Sequence, residues 1–378
     1  SVTGDGFVCA INPSNTSTVY IASYPWSNYP AVLRSTTGAF GSFHQITGSG
    51  SGISSTSRIE WVTPYTLVPT NPSTLYLGTY RLFRSTNSGT SWSAVGPSDM
   101  AGGTDDVTTV NVCRTNGSYV YAGTSSGRIW QTANAWSSWT EISSGLPARV
   151  INDIDADPTD PGSAFCVVSG FGTAHLYEFA GTGSWVARGA GLPDVPANTV
   201  VAFSATDLYV GTDVGVFVST DRGQSFAPFS SGLPQGLVVT DLEVNSNTGT
   251  LTAGTYGRGA WQITIVAPGE AGGASETALK WAGPAKNQLA WGIAAGALGY
   301  RVYRGDGPDL ASLPAGAPAC RAYEGTAFST GAILSAAPGA GSFFWYLATA
   351  YNSAGQGSLG AGTSTPRVVV SAGACSPP

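Results

Sequence analysis

A short apolar strand centred on tyrosine recurs along the first two thirds of the chain at nearly constant spacing. The steps between successive copies are 56, 45, 45, 43 and 43 residues, and the aligned positions are Tyr20, Tyr76, Tyr121, Cys166, Tyr209 and Thr252. Short strands repeating with a period in the forties are typical of a β-propeller, in which each repeat forms one four-stranded sheet, or blade. The repeat therefore predicts an all-β fold with a six- or seven-bladed propeller over residues 1–266. The longer first step predicts an insertion within residues 48–65.

Two repeats carry the same polar turn after their third strand. The turns read Ser-Thr-Asn-Ser-Gly-Thr-Ser-Trp at 85–92 and Ser-Thr-Asp-Arg-Gly-Gln-Ser-Phe at 219–226, and 131–139 holds a degenerate copy without the acidic residue. This pattern resembles the Asp-box of sialidases, sortilin-type propellers and xyloglucanase-type propellers. Asp and Asn side chains can accept hydrogen bonds from their own turn, and glycine supplies positive φ. We therefore predict a structural role, away from a central channel, for Ser85, Asn87, Gly89, Trp92, Ser219, Asp221, Gly223 and Phe226.

The last hundred residues have a different pattern. Residues 267–277 contain Pro-Gly and Gly-Gly pairs, which predict a flexible linker. Beyond it, Trp291, the Tyr-x-Val-Tyr-Arg strand at 300–304 and the Ala-Tyr-Asn-x-x-Gly ending at 350–355 resemble a fibronectin type III domain. The resemblance implies a C-terminal β-sandwich over residues 278–378.

The five cysteines have no metal-like spacing and include no C-x-x-C. Cys9, Cys113 and Cys166 fall within apolar strands and are interpreted as buried, inert thiols. Cys320 and Cys375 both flank strands of the second domain, and we predict a disulfide between them. Such a bond fits an oxidising, extracellular or periplasmic setting. Because the chain has no initiator methionine, we expect a processed chain or a piece of a longer precursor.

The charge balance excludes two classes of partner. The first lysine is Lys280, so residues 1–266 carry ten arginines against seventeen acids, a net charge of −7. A negative field of this kind argues against nucleic acid and anionic membranes as partners. No apolar run reaches the ~18–20 residues of a membrane span, so no span is predicted.

Binding residues of a propeller come from the loops around the innermost strands. By position the ligand-binding candidates are Arg58, Glu60, Trp61, Asp105, Asp106, Arg149 and Tyr256. Aromatic residues suited to stacking on sugar rings, or to filling space between blades, are Tyr24, Trp26, Tyr29, Tyr65, Tyr80 and Tyr256. No cofactor and no metal site is predicted, because the Asp-x-Asp-x-Asp run at 153–157 lacks the glycine and distal glutamate of a calcium loop.

Catalysis has two candidates, Asp153 and Asp241, which occupy equivalent places at innermost strands. Two carboxylates facing each other could act as acid and base on a glycosidic bond. Alternatively, each bonds backbone N–H groups at its strand start. A sialidase needs an arginine triad, yet Arg58-Ile59 is followed by Glu60 rather than proline and no matching arginines follow. Xyloglucanase-type enzymes use paired aspartates between two tandem propellers, whereas one propeller is predicted here.

The sequence favours a secreted or cell-surface, non-catalytic binding or structural module. Its partners would be glycans, other extracellular proteins or further copies of the chain in an assembly. The alternative is a glycoside hydrolase of xyloglucanase-like type that uses Asp153 and Asp241.

Overall fold

The computed structural model describes residues 6–265 apart from 40, 56–57, 231 and 247, and part of residues 279–375. In that second range the gaps are 283–286, 293, 295–296, 307–316, 328, 332–333, 335, 337, 339–342, 353 and 358–368. Every regular element in these residues is a strand. The chain forms two compact units, Ser1–Glu243 with Ala253–Trp261, and Val244–Thr252 with Gln262–Pro378. The predicted linker at 267–277 lies outside the described residues, and the boundary at 266 stays a prediction.

Six antiparallel sheets follow one another along residues 6–264 of the described chain, each built from consecutive strands. Sheets 1 to 3 contain β1 (Gly6–Ile11), β2 (Val19–Trp26), β3 (Tyr29–Ser35), β4 (His44–Gln45); β5 (Tyr65–Val68), β6 (Asn71–Gly78), β7 (Leu82–Ser85), β8 (Ser93–Val95); and β9 (Val107–Val112), β10 (Val120–Thr124), β11 (Ile129–Thr132), β12 (Thr140–Glu141). Sheets 4 and 5 contain β13 (Ile151–Ala156), β14 (Ala164–Val168), β15 (Leu176–Phe179), β16 (Val186–Arg188); and β17 (Ala197–Ala202), β18 (Leu208–Thr212), β19 (Gly215–Ser219), β20 (Ala227–Pro228). Sheet 6 has three strands, β21 (Val239–Asn245), β22 (Thr250–Thr255) and β23 (Gly259–Thr264).

The tyrosine strand is the second strand of each sheet, and in sheets 3, 4 and 5 it is covered on both faces. All five residues of β10, β14 and β18 are buried. A strand covered on both faces reads as a continuous apolar run rather than an alternating one. The tyrosine also reaches the next sheet, because the Tyr121 hydroxyl donates to Pro161 O over 2.8 Å and that of Tyr76 donates to Ala135 O. The repeat that dominates the sequence therefore packs sheet against sheet.

First strands of consecutive sheets lie side by side and run in the same direction. The contacts that join them are Thr108 Oγ1 to Ile151 O (2.6 Å), Asn152 Nδ2 to Ala197 O (2.8 Å) and Asn198 Nδ2 to Val239 O (3.0 Å). Because strand direction alternates within a sheet, the connections β2–β3 and β4–β5 and their equivalents share one edge, which we call the loop edge. The connections β1–β2 and β3–β4 and their equivalents share the opposite edge, the turn edge.

The two Asp-box-like turns lie at the turn edge and have the same geometry. Gly89 N donates to the Ser85 hydroxyl over 2.9 Å, and Gly223 N donates to the Ser219 hydroxyl over 2.8 Å. The Asx side chains of both turns accept from the backbone N–H four residues later, each at 2.9 Å. The degenerate copy folds likewise, because Asn134 Oδ1 accepts from Ser138 N over 3.0 Å. Asn134 thus takes the place of the acidic residue.

The second unit contains two sheets that share a core. The small sheet has β24 (Lys280–Trp281) and β25 (Leu289–Ala290), and the large one, in the order β29-β28-β26-β27-β30, has β26 (Gly299–Asp306), β27 (Ala317–Gly325), β28 (Phe344–Asn352), β29 (Gly355–Gln356) and β30 (Val369–Ala374). Leu289 and Trp291 pack with Tyr300, Val302 and Ala350 of the large sheet. β30 runs parallel to β27.

The structure pairs two of the five cysteines. A disulfide joins Cys320 to Cys375, with Cα atoms 4.7 Å apart, and ties β27 to the end of β30. Cys113 and Cys166 are buried free thiols. Cys9 is exposed, so its interpretation as a buried thiol was wrong. The apolar run around Cys9 identifies a strand but does not tell which of its faces is covered.

Candidate functional site

The loop edge of sheets 2 and 3 gathers charged residues around one guanidinium. Arg58 Nη2 lies 2.8 Å from Asp99 Oδ1, and Arg58 Nε lies 3.7 Å from Asp106 Oδ1. The Arg58 guanidinium also lies over the Tyr80 ring, 4.8 Å from its centroid, and donates to Gly103 O. We call Arg58, Glu60, Asp99, Asp105 and Asp106 the Arg58 cluster.

A buried methionine holds one of the two loops that form this cluster. Met100 is inaccessible to solvent; its N–H donates to Tyr80 O over 3.0 Å, and its carbonyl accepts from Trp130 Nε1 over 2.8 Å. Asp99, next to it, accepts from Gly102 N over 2.7 Å. The carboxylates that contact Arg58 therefore sit on a fixed loop.

The pKa of the Asp106 carboxyl lies above its usual value. The net effect of its surroundings raises this pKa to about 6. Burial is the largest cause, the Arg58 charge opposes it, and the negative charges of Glu60, Asp105 and Asp99 add to it. The cluster contains four carboxyls and one guanidinium, which gives it an excess of negative charge. This charge disfavours anionic ligands and leaves carboxylate oxygens to accept hydrogen bonds from neutral ones.

Aromatic rings lie beside the cluster at the same edge. The Trp61 ring stacks on Tyr24 with centroids 5.4 Å apart and planes 9° from parallel, and Phe7 meets Trp61 edge-on at 6.3 Å. Trp26 makes an edge contact with Tyr24, also at 6.3 Å. Trp61 remains 57% exposed. We call Phe7, Tyr24, Trp26 and Trp61 the aromatic platform; Glu60, whose carboxylate accepts from Trp61 N over 3.1 Å, connects it to the Arg58 cluster.

The remaining loop candidates lie elsewhere. Arg149 donates through Nη2 to Phe171 O over 3.2 Å, on sheet 4. Tyr256 is 79% exposed in the turn of sheet 6. No contact among the described residues joins either side chain to the Arg58 cluster. Tyr65 is buried and its hydroxyl donates to Val8 O over 3.2 Å, so of the two roles that its sequence position left open it fills space and is not available for stacking.

Asp153 and Asp155 on β13 bind the neighbouring first strands. Asp153 Oδ1 accepts from Ile154 N (2.8 Å) and Oδ2 accepts from Thr199 Oγ1 and Val200 N (both 3.0 Å). Asp155 accepts from Asn111 Nδ2 over 3.1 Å on one side and from Ala202 N over 2.9 Å on the other. Both carboxylates therefore use their oxygens to tie β13 to β9 and β17.

Two further acids, Asp241 and Glu243 on β21, act on this pair electrostatically. Their side chains keep solvent-accessible surface, yet surrounding protein weakens the solvation of their charges and raises the pKa of each, that of Glu243 to about 7. The charges of Asp241 and Asp155 raise the pKa of Glu243 further, and that of Arg114 lowers it. The net effect of its surroundings raises the pKa of Asp153 to about 8. Burial is the largest cause, the hydrogen bond from Val200 N–H opposes it, and the Asp241 charge adds to it.

Removing the charge of Asp241 is expected to change the pH dependence of stability. The folded pKa of Asp153, about 8, exceeds the ordinary value of ~3.9, so its contribution to stability is full below ~3.9 and is lost as pH rises towards 8. Between pH 5 and pH 8 the free energy of unfolding is therefore expected to fall less in Asp241→Asn than in the native protein. Urea unfolding at the two pH values measures this difference. Glu141→Gln, on the outer strand β12, is the control. Identical pH dependence in Asp241→Asn and the native protein would contradict the coupling.

Comparison with known proteins identifies the fold. Neither a protein-family model nor a curated protein matches the chain. Among solved structures, the GH74 xyloglucanase from Xanthomonas campestris is 17% identical with a TM-score of 0.51, covering 68% of this chain and 44% of that one. The Niastella koreensis GH74 enzyme (15%, TM-score 0.53, 77% and 51%) and an ancestral GH74 enzyme (14%, TM-score 0.54, 80% and 45%) also match. These enzymes are β-propeller proteins. The chain is a β-propeller protein.

The likeness shows the fold alone at these identities, and the chain spans about half the length of these solved structures. No helix in the described part of the propeller chain has the length and apolarity needed to cross a bilayer.

Sequence reasoning missed Asp99, which makes the shorter of the two ion pairs to Arg58. A signal was available, because Asp99 lies in the same connection as Asp105 and Asp106, between β8 and β9. Connections of this type reach the loop edge in every sheet, so each acid in them was a candidate.

Proposed function

We propose that the propeller is a non-catalytic glycan-binding module that holds a neutral polysaccharide against the aromatic platform. The exposed Trp61 ring, stacked on Tyr24, carries the proposal. A flat, fixed and accessible ring provides apolar contact area at low entropic cost, and such patches mark interaction sites. Carboxylates of the Arg58 cluster beside it supply acceptors for sugar hydroxyls, and their excess charge selects against acidic sugars.

The hydrogen bonds of Asp153 support a non-catalytic role. A general acid must place a carboxyl oxygen against the glycosidic oxygen. Both oxygens of Asp153 already accept hydrogen bonds from the backbone or side chains of β13 and β17. In this proposal Asp153 holds neighbouring blades together and does not contact a sugar.

Trp61→Ala tests the proposal through affinity. Isothermal titration of cellohexaose, a neutral oligosaccharide, is expected to give a Kd at least about tenfold weaker for the variant than for the native protein. The matched control is Phe171→Ala, which removes an aromatic ring that is 60% exposed on sheet 4 and outside the platform. Native-like binding by Trp61→Ala, or equal loss in Phe171→Ala, would reject the site.

A glycoside hydrolase is the second candidate, and one observation favours it. With a pKa of about 8, Asp153 is protonated at neutral pH, as a general acid must be, and the charge of Asp241 contributes to that shift. Under this alternative, reducing ends appear when cellohexaose or xyloglucan is incubated with the protein, and Asp153→Asn or Asp241→Asn abolishes them.

A secreted or cell-surface location belongs to the same proposal. The Cys320–Cys375 disulfide supports it, since such bonds persist in oxidising compartments. Alkylation of the native protein without reductant, followed by mass spectrometry, should leave Cys320 and Cys375 unlabelled. Labelling at both positions would argue against an oxidising compartment. Glycan binding could also serve an assembly of several copies, which sedimentation at rising concentration would detect.

A further inference from the structure

In each of the first three sheets, the third-strand residue that lies opposite the tyrosine in the strand pairing is polar. In two of these sheets its side chain forms a hydrogen bond to the next sheet. In sheet 1, Tyr20 pairs with Arg34, whose Nη1 donates to Ser88 O of sheet 2 over 2.6 Å. In sheet 3, Tyr121 pairs with Gln131, whose Nε2 donates to Gly162 O of sheet 4 over 3.1 Å. The polar group in each case is satisfied by a backbone carbonyl of the following sheet.

Arg84 of sheet 2 holds the same position opposite Tyr76 but does not make this link. The carbonyl equivalent to that of Ser88 belongs to Ala135; both residues follow the Asx of a turn and both have positive φ, 59° and 66°. The Tyr76 hydroxyl donates to this carbonyl. The Arg84 guanidinium instead lies over the Trp136 ring, 4.2 Å from its centroid. The guanidinium also contacts the Tyr76 hydroxyl.

Arg84 has no carboxylate counter-ion among the residues that the structure describes. No ion pair within 4.0 Å involves it, and its Nε is buried without a hydrogen-bond partner. A partly buried cation of this kind is costly unless an anion satisfies it. The guanidinium is a planar donor that matches a carboxylate.

A cavity of about 330 Å³ opens beside Arg84 at the turn edge, between sheets 2 and 3. Its wall is rich in hydroxyl and amide side chains, namely Thr70, Asn71, Thr74, Thr115, Asn116 and Ser118. The Thr115 hydroxyl already donates to Pro158 O and Asn116 Oδ1 accepts from Ser118 N. The remaining hydroxyl and amide groups can donate to and accept from the hydroxyls of one sugar ring. Its volume is at the lower end of the ~300–1,000 Å³ typical of ligand pockets.

We propose that this inter-blade pocket binds a uronic acid unit of a glycan. The sugar carboxylate pairs with Arg84, and the ring hydroxyls bond the hydroxyl and amide side chains of the wall. The pocket lies at the edge opposite the aromatic platform and selects the opposite ligand charge. The proposal does not depend on glycan binding at the Arg58 cluster.

Titration with galacturonate and galactose tests the pocket, because the two sugars differ at C6, carboxylate against hydroxymethyl. We expect galacturonate to bind the native protein and galactose to bind at least about tenfold more weakly. Arg84→Gln, which copies the residue of sheet 3, is expected to weaken galacturonate binding at least about tenfold. The matched control, Arg34→Gln, removes the equivalent arginine of sheet 1 and is expected to leave that Kd unchanged.

Two further variants show whether a change in galacturonate binding arises at this pocket. Trp136→Ala removes an exposed ring that positions Arg84 and should weaken galacturonate binding even where Arg84→Gln fails to fold. Trp61→Ala should leave galacturonate binding intact, which distinguishes this pocket from the loop-edge site. Equal affinity for galactose, unchanged binding in Arg84→Gln, or acetate binding as tight as galacturonate would overturn the proposal.

Discussion

Arg222→Met is expected to lower the free energy of unfolding by about 3–5 kcal/mol, because it leaves the buried carboxylate of Asp157 without its cation and removes one of the two arginines that pair with Glu178. Arg222 Nη1 lies 2.5 Å from Asp157 Oδ2, whose side chain is inaccessible to solvent, and Arg222 Nε lies 2.5 Å from Glu178 Oε1, 7% exposed. The guanidinium connects the turn between β19 and β20 of sheet 5 to two places in sheet 4, the residue after β13 and strand β15. It also lies over the Phe165 ring. Urea unfolding at pH 7 measures the loss.

The control is Arg258→Met, which removes the same charge from an exposed turn and is expected to change stability by no more than about 0.5 kcal/mol. The pH dependence adds a second readout. Burial would raise the pKa of Asp157, but hydrogen bonds from Thr159 and Arg222 hold it below its usual value. Its contribution is therefore full above ~3.9 and is lost as pH falls through the lower folded pKa. The difference between native protein and Arg222→Met should shrink below about pH 4, and a constant difference would contradict the ion pair.

Gly123→Val is expected to cost about 3 kcal/mol or more, or to prevent folding, because a side chain there has no room. A Cβ on Gly123 would lie 2.6 Å from Ile151 Cγ2 and 2.8 Å from Thr109 Cγ2. Gly78 and Gly211 in the equivalent strands meet the next sheet at similarly short distances. In sheets 2, 3 and 5, the glycine near the end of the tyrosine strand is thus where one blade approaches the next. Thermal unfolding of the purified variant, or its absence from the soluble fraction, measures the effect.

The matched control is Gly6→Val, on a strand glycine whose added Cβ meets nothing within 4 Å. It should unfold within a few degrees of the native protein. A double variant, Gly123→Ala with Ile151→Ala, should be more stable than Gly123→Ala alone, since shortening Ile151 makes room. A double variant that simply adds the two losses would show that the close approach is not the cause.

The fold could be predicted because one physical signal is repeated many times. Strands such as β10 and β14 are buried on both faces, so their apolar runs survive at each copy even where Cys166 replaces tyrosine. Glycine and Asx in the turns make the same hydrogen bonds in sheets 2 and 5. Local chemistry and the period of the repeat agree, and such agreement specifies a fold.

The site was predictable only in part, since it depends on contacts between distant loops. Arg58 and Asp106 were both candidates, but neither the stacking of Tyr24 on Trp61 nor the pairing of Asp99 with Arg58 follows from local pattern. Tyr65 looked available for stacking, although its position at the start of β5 buries it. Arg84 could not be singled out from the sequence. Its lack of a carbonyl partner is seen only when its contacts are compared with those of Arg34 and Gln131 in sheets 1 and 3.

Nuclear magnetic resonance of cellohexaose with the native protein tests the central claim, because one sample reports both binding and cleavage. Saturation transfer to the sugar ring protons that Trp61→Ala strongly reduces, with anomeric signals unchanged over days, is the result we predict. New reducing-end signals that disappear in Asp153→Asn and Asp241→Asn would contradict it and identify the propeller as a hydrolase.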